Sequence, residues 1–167
     1  PPRPEPLLSF VSLGVADLGR ARRFYRMALG LAPEKRSRGM ALLALGSIRL
    51  ALLPRAALAR EAGLPRRAGS AASPRPASAG VRGADGFGLV LLSLNVDRRE
   101  AVAGLLRRAA AAGGRVVRKE APASWGGETG VFADPDGFLW EVAWNPRFSF
   151  AASGRRRGSP RPARRSR

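Results

Sequence analysis

One pattern of elements occurs twice in the chain: a strand, a helix preceded by aspartate, a glycine stop and three more strands. In the first half Leu7–Val15 is the strand and Asp17 precedes the helix. In the second half Leu89–Val96 and Asp97 take these places. A repeat constrains the fold more than any single element, because both copies would have to be misread in the same way. Two such βαβββ units are each too small to bury a full core, so we expect them to pair around a shared cleft.

Short strands follow the helix in each half. We expect them at Ala32–Arg36, Met40–Leu45 and Ile48–Leu53, and again at Arg115–Lys119, Thr129–Ala133 and Phe138–Trp144. The last two are joined by the turn Asp134-Pro135-Asp136-Gly137. Proline presets φ at the second position of a turn, and glycine tolerates the positive φ that closes a hairpin. This turn chemistry accounts for both aspartates.

The repeat divides the chain into five segments. We expect a flexible N-terminus at 1–6, a first module at 7–53, a linker at 54–88, a second module at 89–148 and a disordered tail at 149–167. The linker opens with a short helical stretch, AALAREAGL, and continues with Pro, Ser, Ala, Gly and Arg. A stretch of this length and composition is typical of a lid, a crossover or a disordered insertion.

The net charge of +18 is unevenly distributed, because seven arginines lie within residues 155–167. That tail has no apolar period, so it is predicted to be disordered. Two explanations of the charge stay open. A GC-rich coding sequence would favour Arg, Ala, Gly and Pro together, whereas a functional tail would make nonspecific contacts with nucleic acid.

Two missing residue types exclude most catalytic constellations. The chain has no cysteine and no histidine, so it has no thiol nucleophile, disulfide, imidazole base or imidazole metal ligand. No apolar run is long enough to span a bilayer, so we expect no membrane partner. The N-terminus lacks the layout of a signal peptide, which predicts a cytoplasmic protein.

Glu141 lies within an otherwise apolar strand, Phe138 to Trp144. Burying an unpaired carboxylate costs roughly several kcal/mol, so this residue needs a partner or a ligand. Strand alternation puts Trp140 and Trp144 on the opposite face, where they are expected in the core. Trp125 precedes two glycines in a loop and is a candidate for a ligand contact at the mouth of the cleft.

Three stretches together resemble the vicinal oxygen chelate superfamily, which contains glyoxalases, bleomycin-resistance proteins and extradiol dioxygenases. They are SLGVADLGRARRFYRMALGL from residue 12, GGRVV from residue 113 and FADPDGFLWEV from residue 132. The resemblance covers about residues 7 to 148. It implies an α+β fold in which two βαβββ modules form a curved mixed sheet around a cleft, and it implies a homodimer.

In metal-using members of that superfamily, the resemblance implies up to four ligands on the first and last strands of the modules. The corresponding positions here are Phe10, Leu50, Leu91 and Glu141. A divalent metal is the family expectation, but three of these side chains are apolar, and one carboxylate without histidine offers too few donors. A shift of two residues would bring in Ser12 and Ser93, which are poor ligands alone. We therefore expect no metal cofactor.

Two functions follow for a glyoxalase-like chain of this kind. The first is a metal-independent protein that binds a small molecule in an apolar cleft, of the drug-sequestering or resistance type. Phe10, Arg49, Leu50, Leu91 and Trp125 would line the cleft, and Glu141 would fix one polar group of the ligand. The second is a lyase or isomerase of the glyoxalase kind with Glu141 as base.

Two further possibilities complete the expectations from sequence. Glu141 has a purely structural alternative, in which it pairs with Arg49 on the corresponding strand of the first module. A weaker functional alternative places nucleic-acid contact in the arginine-rich tail, residues 155–167.

Overall fold

The structure is a computed structural model that describes residues 7–36, 39–64 and 90–147. The expectations for the N-terminus at 1–6, for most of the linker and for the tail at 149–167 lie outside these residues. No helix within the described ranges combines the length and apolar character needed to cross a membrane.

Both halves contain the repeated elements. The first half has β1 (Phe10–Val15), α1 (Leu18–Leu29), β2 (Pro33–Arg36), β3 (Ala41–Leu45), β4 (Ile48–Pro54) and α2 (Arg55–Glu61). The second half has β5 (Leu91–Val96), α3 (Glu100–Ala111), β6 (Arg115–Pro122), β7 (Glu128–Ala133) and β8 (Leu139–Trp144).

The described strands form two four-stranded sheets with the same topology. Their orders are β1-β4-β3-β2 and β5-β8-β7-β6, and they do not close into one barrel. The first strand of each module runs parallel to the last, and the remaining neighbours are antiparallel. The predicted α+β class and the two mixed βαβββ sheets are therefore confirmed.

Helix α1 begins and ends where the sequence predicts. The Asp17 side chain accepts a 2.8 Å hydrogen bond from the backbone N–H of Arg20, which caps the helix and lowers the pKa of Asp17. Gly30 ends the helix in the left-handed conformation, with φ of 72°.

Helix α3 begins later than predicted, at Glu100, and Asp97 does not cap it. The chain first makes an extra turn, held by backbone bonds from Ala101 to Arg98 and from Val102 to Arg99. The residue at the cap position is Arg99, whose side chain makes no capping bond. The expectation that both helices share an aspartate cap is therefore wrong for the second.

A single core joins the two modules. Helices α1 and α3 pack against each other, and one face of each sheet packs against this helical layer. Its largest fully buried side chains are Trp140, Tyr25, Phe24, Phe132, Leu43, Leu50 and Leu52. Because strand side chains alternate, every second residue points the other way, onto what we term the outer face of each sheet.

Helix α2 covers part of the outer face of the first sheet. It packs against β1 and β4, and a Cβ placed at Gly14 would lie 3.2 Å from a methyl group of Leu58. Ala51 and Leu53, which lie on the same face, are buried. Within the described residues, no helix covers the outer face of the second sheet in the way that α2 covers the first.

Buried carboxylates tie the hairpin turn of the second module to the first module. Asp136 is 1% exposed, and its Oδ1 accepts a 2.8 Å bond from the backbone N–H of Ala16. The guanidinium groups of Arg20 and Arg55 each lie 3.1 Å from the same oxygen. The two arginines offset the charge of a carboxylate that would otherwise be costly to bury.

Asp134 forms the second tie. Its Oδ1 accepts hydrogen bonds from the backbone N–H groups of Asp136 and Phe138, both at 2.9 Å, as turn chemistry predicts. Its Oδ2 accepts the hydroxyl of Tyr25 on α1, and that hydroxyl accepts the indole N–H of Trp140 at 3.3 Å. Burial is the main cause that raises the pKa of Asp134, and it also raises the pKa of Tyr25 well above its usual value.

Candidate functional site

Glu141 lies on β8 and points onto the outer face of the second sheet. In the sheet register it stands between Ser93 on β5 and Val131 on β7. The hydroxyl of Ser93 donates a 2.9 Å hydrogen bond to Oε2 of Glu141. The side chain of Glu141 keeps 25% of its surface exposed, so the carboxylate is accessible from solvent.

Arg118 completes a polar cluster with Glu141. Its Nη2 lies 3.8 Å from Oε1 of Glu141, which is an ion pair but is too long for a hydrogen bond. Thr129 holds the guanidinium in place, because its backbone oxygen accepts from Nη1 at 3.2 Å and its hydroxyl from Nη2 at 2.7 Å. The arginine is thus oriented by β7 and attracts the carboxylate across a gap.

Apolar side chains surround this cluster on the same face. Leu91 lies two residues before Ser93 on β5 and is 41% exposed. Val131 and Ala143 are buried, and Leu139 is half-buried. The surface can therefore hold the hydrocarbon part of a small molecule beside one carboxylate, one guanidinium and one hydroxyl.

The residues of the cluster do not fit a divalent metal. The neighbours of Glu141 are a hydroxyl, which is a poor ligand alone, and a guanidinium, whose positive charge repels a cation. No group of three or more His, Cys, Asp or Glu side chains capable of holding a metal occurs within residues 7–36, 39–64 and 90–147.

Two of the predicted site residues lie on the outer face of the first sheet, away from Glu141. Phe10 is on the outer face of β1 and is 52% exposed. Arg49 is its neighbour in the register, and its Nε donates a 2.7 Å bond to Glu34 on β2. The arginine beside Glu141 is therefore Arg118, and Arg49 has a different partner.

Leu50 occupies the core instead of a ligand surface. It is fully buried and faces the helical layer together with Leu52, on the side of β4 opposite to Arg49. A ligand on the outer face has no access to it, because the strand itself lies between them.

Trp125 lies in the loop between β6 and β7, as predicted, and is 43% exposed. Its ring packs over Gly127, where an added Cβ would come within 1.7 Å of the indole. Leu91 alone among the apolar candidates shares the outer face with Glu141. Sequence reasoning missed Arg118 and Thr129, and named Ser93 only as a shifted alternative to Leu91.

Comparison with solved structures identifies several relatives of this fold. One is a glyoxalase-related enzyme from Fulvimarina pelagi, which is 31% identical in sequence. The match covers 89% of this chain and 95% of the relative's chain, with a TM-score of 0.72. A glyoxalase/bleomycin resistance protein/dioxygenase family enzyme from Burkholderia phytofirmans PsJN is 21% identical over 81% of this chain and 96% of its own, with a TM-score of 0.64.

A lactoylglutathione lyase from Agrobacterium tumefaciens shares the fold at 21% identity, over 85% of this chain and 96% of its own, with a TM-score of 0.56. Comparison with curated proteins gives no significant match. The model of one protein family matches residues 7–142, which is most of the chain. The repeated βαβββ modules and this match show that the chain belongs to the Glyoxalase/Bleomycin resistance protein/Dioxygenase superfamily.

Proposed function

We propose that the protein is a metal-independent small-molecule binding protein of the drug-sequestering type, with its ligand on the outer face of the second sheet. One observation carries this proposal: a solvent-accessible carboxylate, Glu141, is held between Ser93 and Arg118 on a face that is otherwise mostly apolar. Apolar surface with a few convergent polar groups is the usual composition of a ligand site.

The hydrogen-bonding capacity of the cluster indicates what a ligand must offer. Oε2 of Glu141 is occupied by Ser93, whereas Oε1 faces Arg118 only at 3.8 Å and can accept a further bond. Arg118 uses two of its five N–H donors on Thr129. Because Glu141 and Arg118 carry opposite charges, the cluster favours a neutral or zwitterionic polar group that both donates and accepts.

A glyoxalase-like lyase or isomerase is the second candidate, and the same unoccupied oxygen favours it. Oε1 of Glu141 could take a proton from a carbon next to a carbonyl group. Arg118 lies where it could stabilise the negative charge that then develops on the carbonyl oxygen. Ser93 would orient the carboxylate, since it holds the other oxygen.

We further infer that the protein forms a homodimer in which the outer faces of the two sheets pair between copies. Each outer face carries one ion pair, and the polarity is reversed between them. The first sheet has Arg49 on β4 and Glu34 on β2, while the second has Glu141 on β8 and Arg118 on β6. A first-sheet face turned onto a second-sheet face would therefore meet opposite charges, and the ligand beside Glu141 would lie in the cleft between the two faces.

A thermal-shift screen of neutral and zwitterionic small molecules, with the full chain, tests the binding function. The comparison is between wild type, Glu141→Gln and the control Glu61→Gln, whose side chain is exposed on α2. We expect hits that stabilise wild type and Glu61→Gln but leave Glu141→Gln unchanged. Equal stabilisation of all three proteins would contradict the proposal that the ligand binds at Glu141.

Two further measurements separate the candidates. Metal analysis of the purified protein should find no stoichiometric zinc, iron or manganese, and finding one would overturn the metal-independent proposal. Hits are also incubated with the protein and followed by NMR. A hit that is recovered unchanged supports the binding protein, whereas conversion by wild type and not by Glu141→Gln supports the lyase or isomerase.

A further inference from the structure

Helix α1 exposes a surface that is mainly basic. Its apolar side, Ala21, Phe24, Tyr25 and Ala28, is buried in the core. The remaining arc of the helix carries, in sequence order, Gly19, Arg20, Arg22, Arg23, Arg26 and Met27. The helix contains no acidic residue, so the charged groups on the side that faces solvent are all guanidiniums, and they share that side with Gly19 and with Met27, which is 56% exposed.

Arginines of two other elements extend this surface at both ends of α1. At its N-terminal end Arg55 of α2 shares Oδ1 of Asp136 with Arg20. At its C-terminal end Arg108 of α3 donates from Nε to the backbone oxygen of Ala28, at 3.2 Å. We term these six residues the arginine strip: Arg20, Arg22, Arg23, Arg26, Arg55 and Arg108.

Few carboxylates offset the strip. Arg22, Arg23, Arg26 and Arg108 form no ion pair within 4 Å among the described residues. Asp136 is buried beneath Arg20 and Arg55 and has one charge for two guanidiniums. The carboxylate of Asp17, the N-cap, interacts electrostatically with Arg20 and Arg23 from the helix end.

We propose that the arginine strip binds the phosphodiester backbone of a nucleic-acid duplex, independently of its sequence and of the small-molecule site. Eight residues separate Arg20 from Ala28, so the strip is at least about 12 Å long at 1.5 Å per residue. At about 3.4 Å per nucleotide along one strand, that length faces roughly three to four phosphates. Guanidinium groups suit phosphate because their fork of donors matches its oxygens.

Other polyanions fit this surface less well. Binding flat on a membrane requires an apolar helix face, and the apolar face of α1 is already used in the core. Single-stranded nucleic acid is usually held by stacking on aromatic rings, and the strip contains none. The described arginines would thus act in addition to any contribution from the tail at 155–167.

The test measures the binding of fluorescent 20-bp DNA and RNA duplexes by the full chain at several salt concentrations. The strip variant is Arg23→Gln with Arg26→Gln. The control is Arg98→Gln with Arg147→Gln, which removes the same charge from exposed positions without an ion pair in the described structure. The tail is present in every protein, so its contribution cancels in the comparison.

We expect the slope of log Kobs against log salt to become shallower by about 1.8 in the strip variant, at 0.9 per lost phosphate contact. In the control variant the slope should change by less than half of that amount. Both variants should still be stabilised by the small molecules that bind at Glu141. The proposal is overturned if the two variants behave alike, or if vesicles with anionic lipid bind the strip and duplexes do not. Similar affinity for DNA and RNA supports backbone recognition, and affinity for one duplex alone contradicts it.

Discussion

The hydroxyl of Tyr25 on α1 donates a 2.5 Å hydrogen bond to Oδ2 of Asp134, in the turn before β8. Both groups are buried, and 109 residues of sequence separate them. The bond joins the helix of the first module to the hairpin of the second. It is therefore a tertiary contact that holds the two halves in one body.

Removing the hydroxyl should destabilise the protein without changing its fold. Tyr25→Phe leaves the Asp134 carboxylate buried without this donor and the Trp140 indole N–H without its acceptor. We expect the free energy of unfolding to fall by about 1–3 kcal/mol, the usual cost of an unsatisfied buried group. Urea unfolding followed by tryptophan fluorescence measures it.

A double-mutant cycle with Asp134→Asn isolates the contact. Asparagine preserves an oxygen for the turn bonds to Asp136 and Phe138 while it removes the charge. A coupling energy near zero between the two substitutions would mean that the hydroxyl and the carboxylate do not interact in solution.

Tyr25 should ionise only when the protein unfolds. Burial, with the nearby Asp134 charge, raises its pKa well above the usual 10.0 in the folded state. The folded protein then holds this proton more tightly than the unfolded chain does. Its contribution to stability is complete below pH 10 and is lost as the pH rises through the folded pKa.

The chain has one tyrosine, so phenolate absorbance at 295 nm reports on this residue alone. We expect the absorbance and the loss of circular dichroism to rise together well above pH 10. In urea, the same absorbance should titrate near its ordinary value. Phenolate formation near pH 10 with unchanged dichroism would contradict the buried placement.

Arg99 should stabilise the N-terminal end of α3 through Glu128. Its Nε donates a 2.7 Å bond to Oε2 of Glu128, whose side chain is only 11% exposed. Arg99→Ala leaves that carboxylate largely buried and unpaired, so we expect a loss of roughly 1–3 kcal/mol in the free energy of unfolding. Arg98→Ala is the control, since Arg98 is exposed and should change stability by less than about 0.5 kcal/mol. Equal losses would show that Glu128 does not depend on Arg99.

Gly114, after α3, should not tolerate a side chain. An added Cβ would lie 2.8 Å from the backbone oxygen of Ala133 and 2.9 Å from the ring of Phe24. Because backbone atoms cannot move aside easily, Gly114→Ala should lower the free energy of unfolding by roughly 1–3 kcal/mol. Gly39→Ala should have little effect, because no atom of the described residues lies within 4 Å of a Cβ added there. Thermal unfolding of the two variants side by side decides this.

The sequence predicts the repeat and the element types because apolar periodicity and turn residues are local signals. The DPDG turn and the cap at Asp17 are examples, and both are confirmed. The sequence does not predict which face of the sheet Leu50 occupies. Most residues of β4 are apolar on both faces, so the strand shows no alternation of polar and apolar residues. Both faces of β4 are apolar because helix α2 buries Ala51 and Leu53 on the outer face, while the core buries the other face.

The partners of Glu141 depend on register between strands far apart in sequence. Ser93 stands opposite Glu141 because β5 and β8 pair in parallel, with a register that no local pattern fixes. Arg118 lies near Glu141 because β8 pairs with β7 and β7 pairs with β6. The pairing of β6 with β7 has register shifts both before and after Arg118. Asp136 likewise accepts a hydrogen bond from Ala16, 120 residues away, which the local turn pattern does not predict.

The reversed ion pairs on the two outer faces give a sharp prediction about the homodimer. Exchanging Glu34 and Arg49, as Glu34→Arg with Arg49→Glu, keeps an ion pair on the first sheet but reverses its polarity. Both outer faces then have the same polarity, so pairing between copies places like charges together. We expect sedimentation velocity to show a dimer for wild type and a shift towards monomer for this variant, with little change in Tm.

Reversing the second sheet as well, by Arg118→Glu with Glu141→Arg, should restore the dimer, because the two faces are again of opposite polarity. A control on the exposed surface of α3, Arg107→Gln, removes one charge away from both outer faces and should leave the dimer unchanged. The outcome that contradicts the pairing is a dimer that persists equally in all variants, since the association would then use another surface. A wild-type chain that stays monomeric at high concentration would also contradict it, and would leave each ligand site to a single copy of the chain.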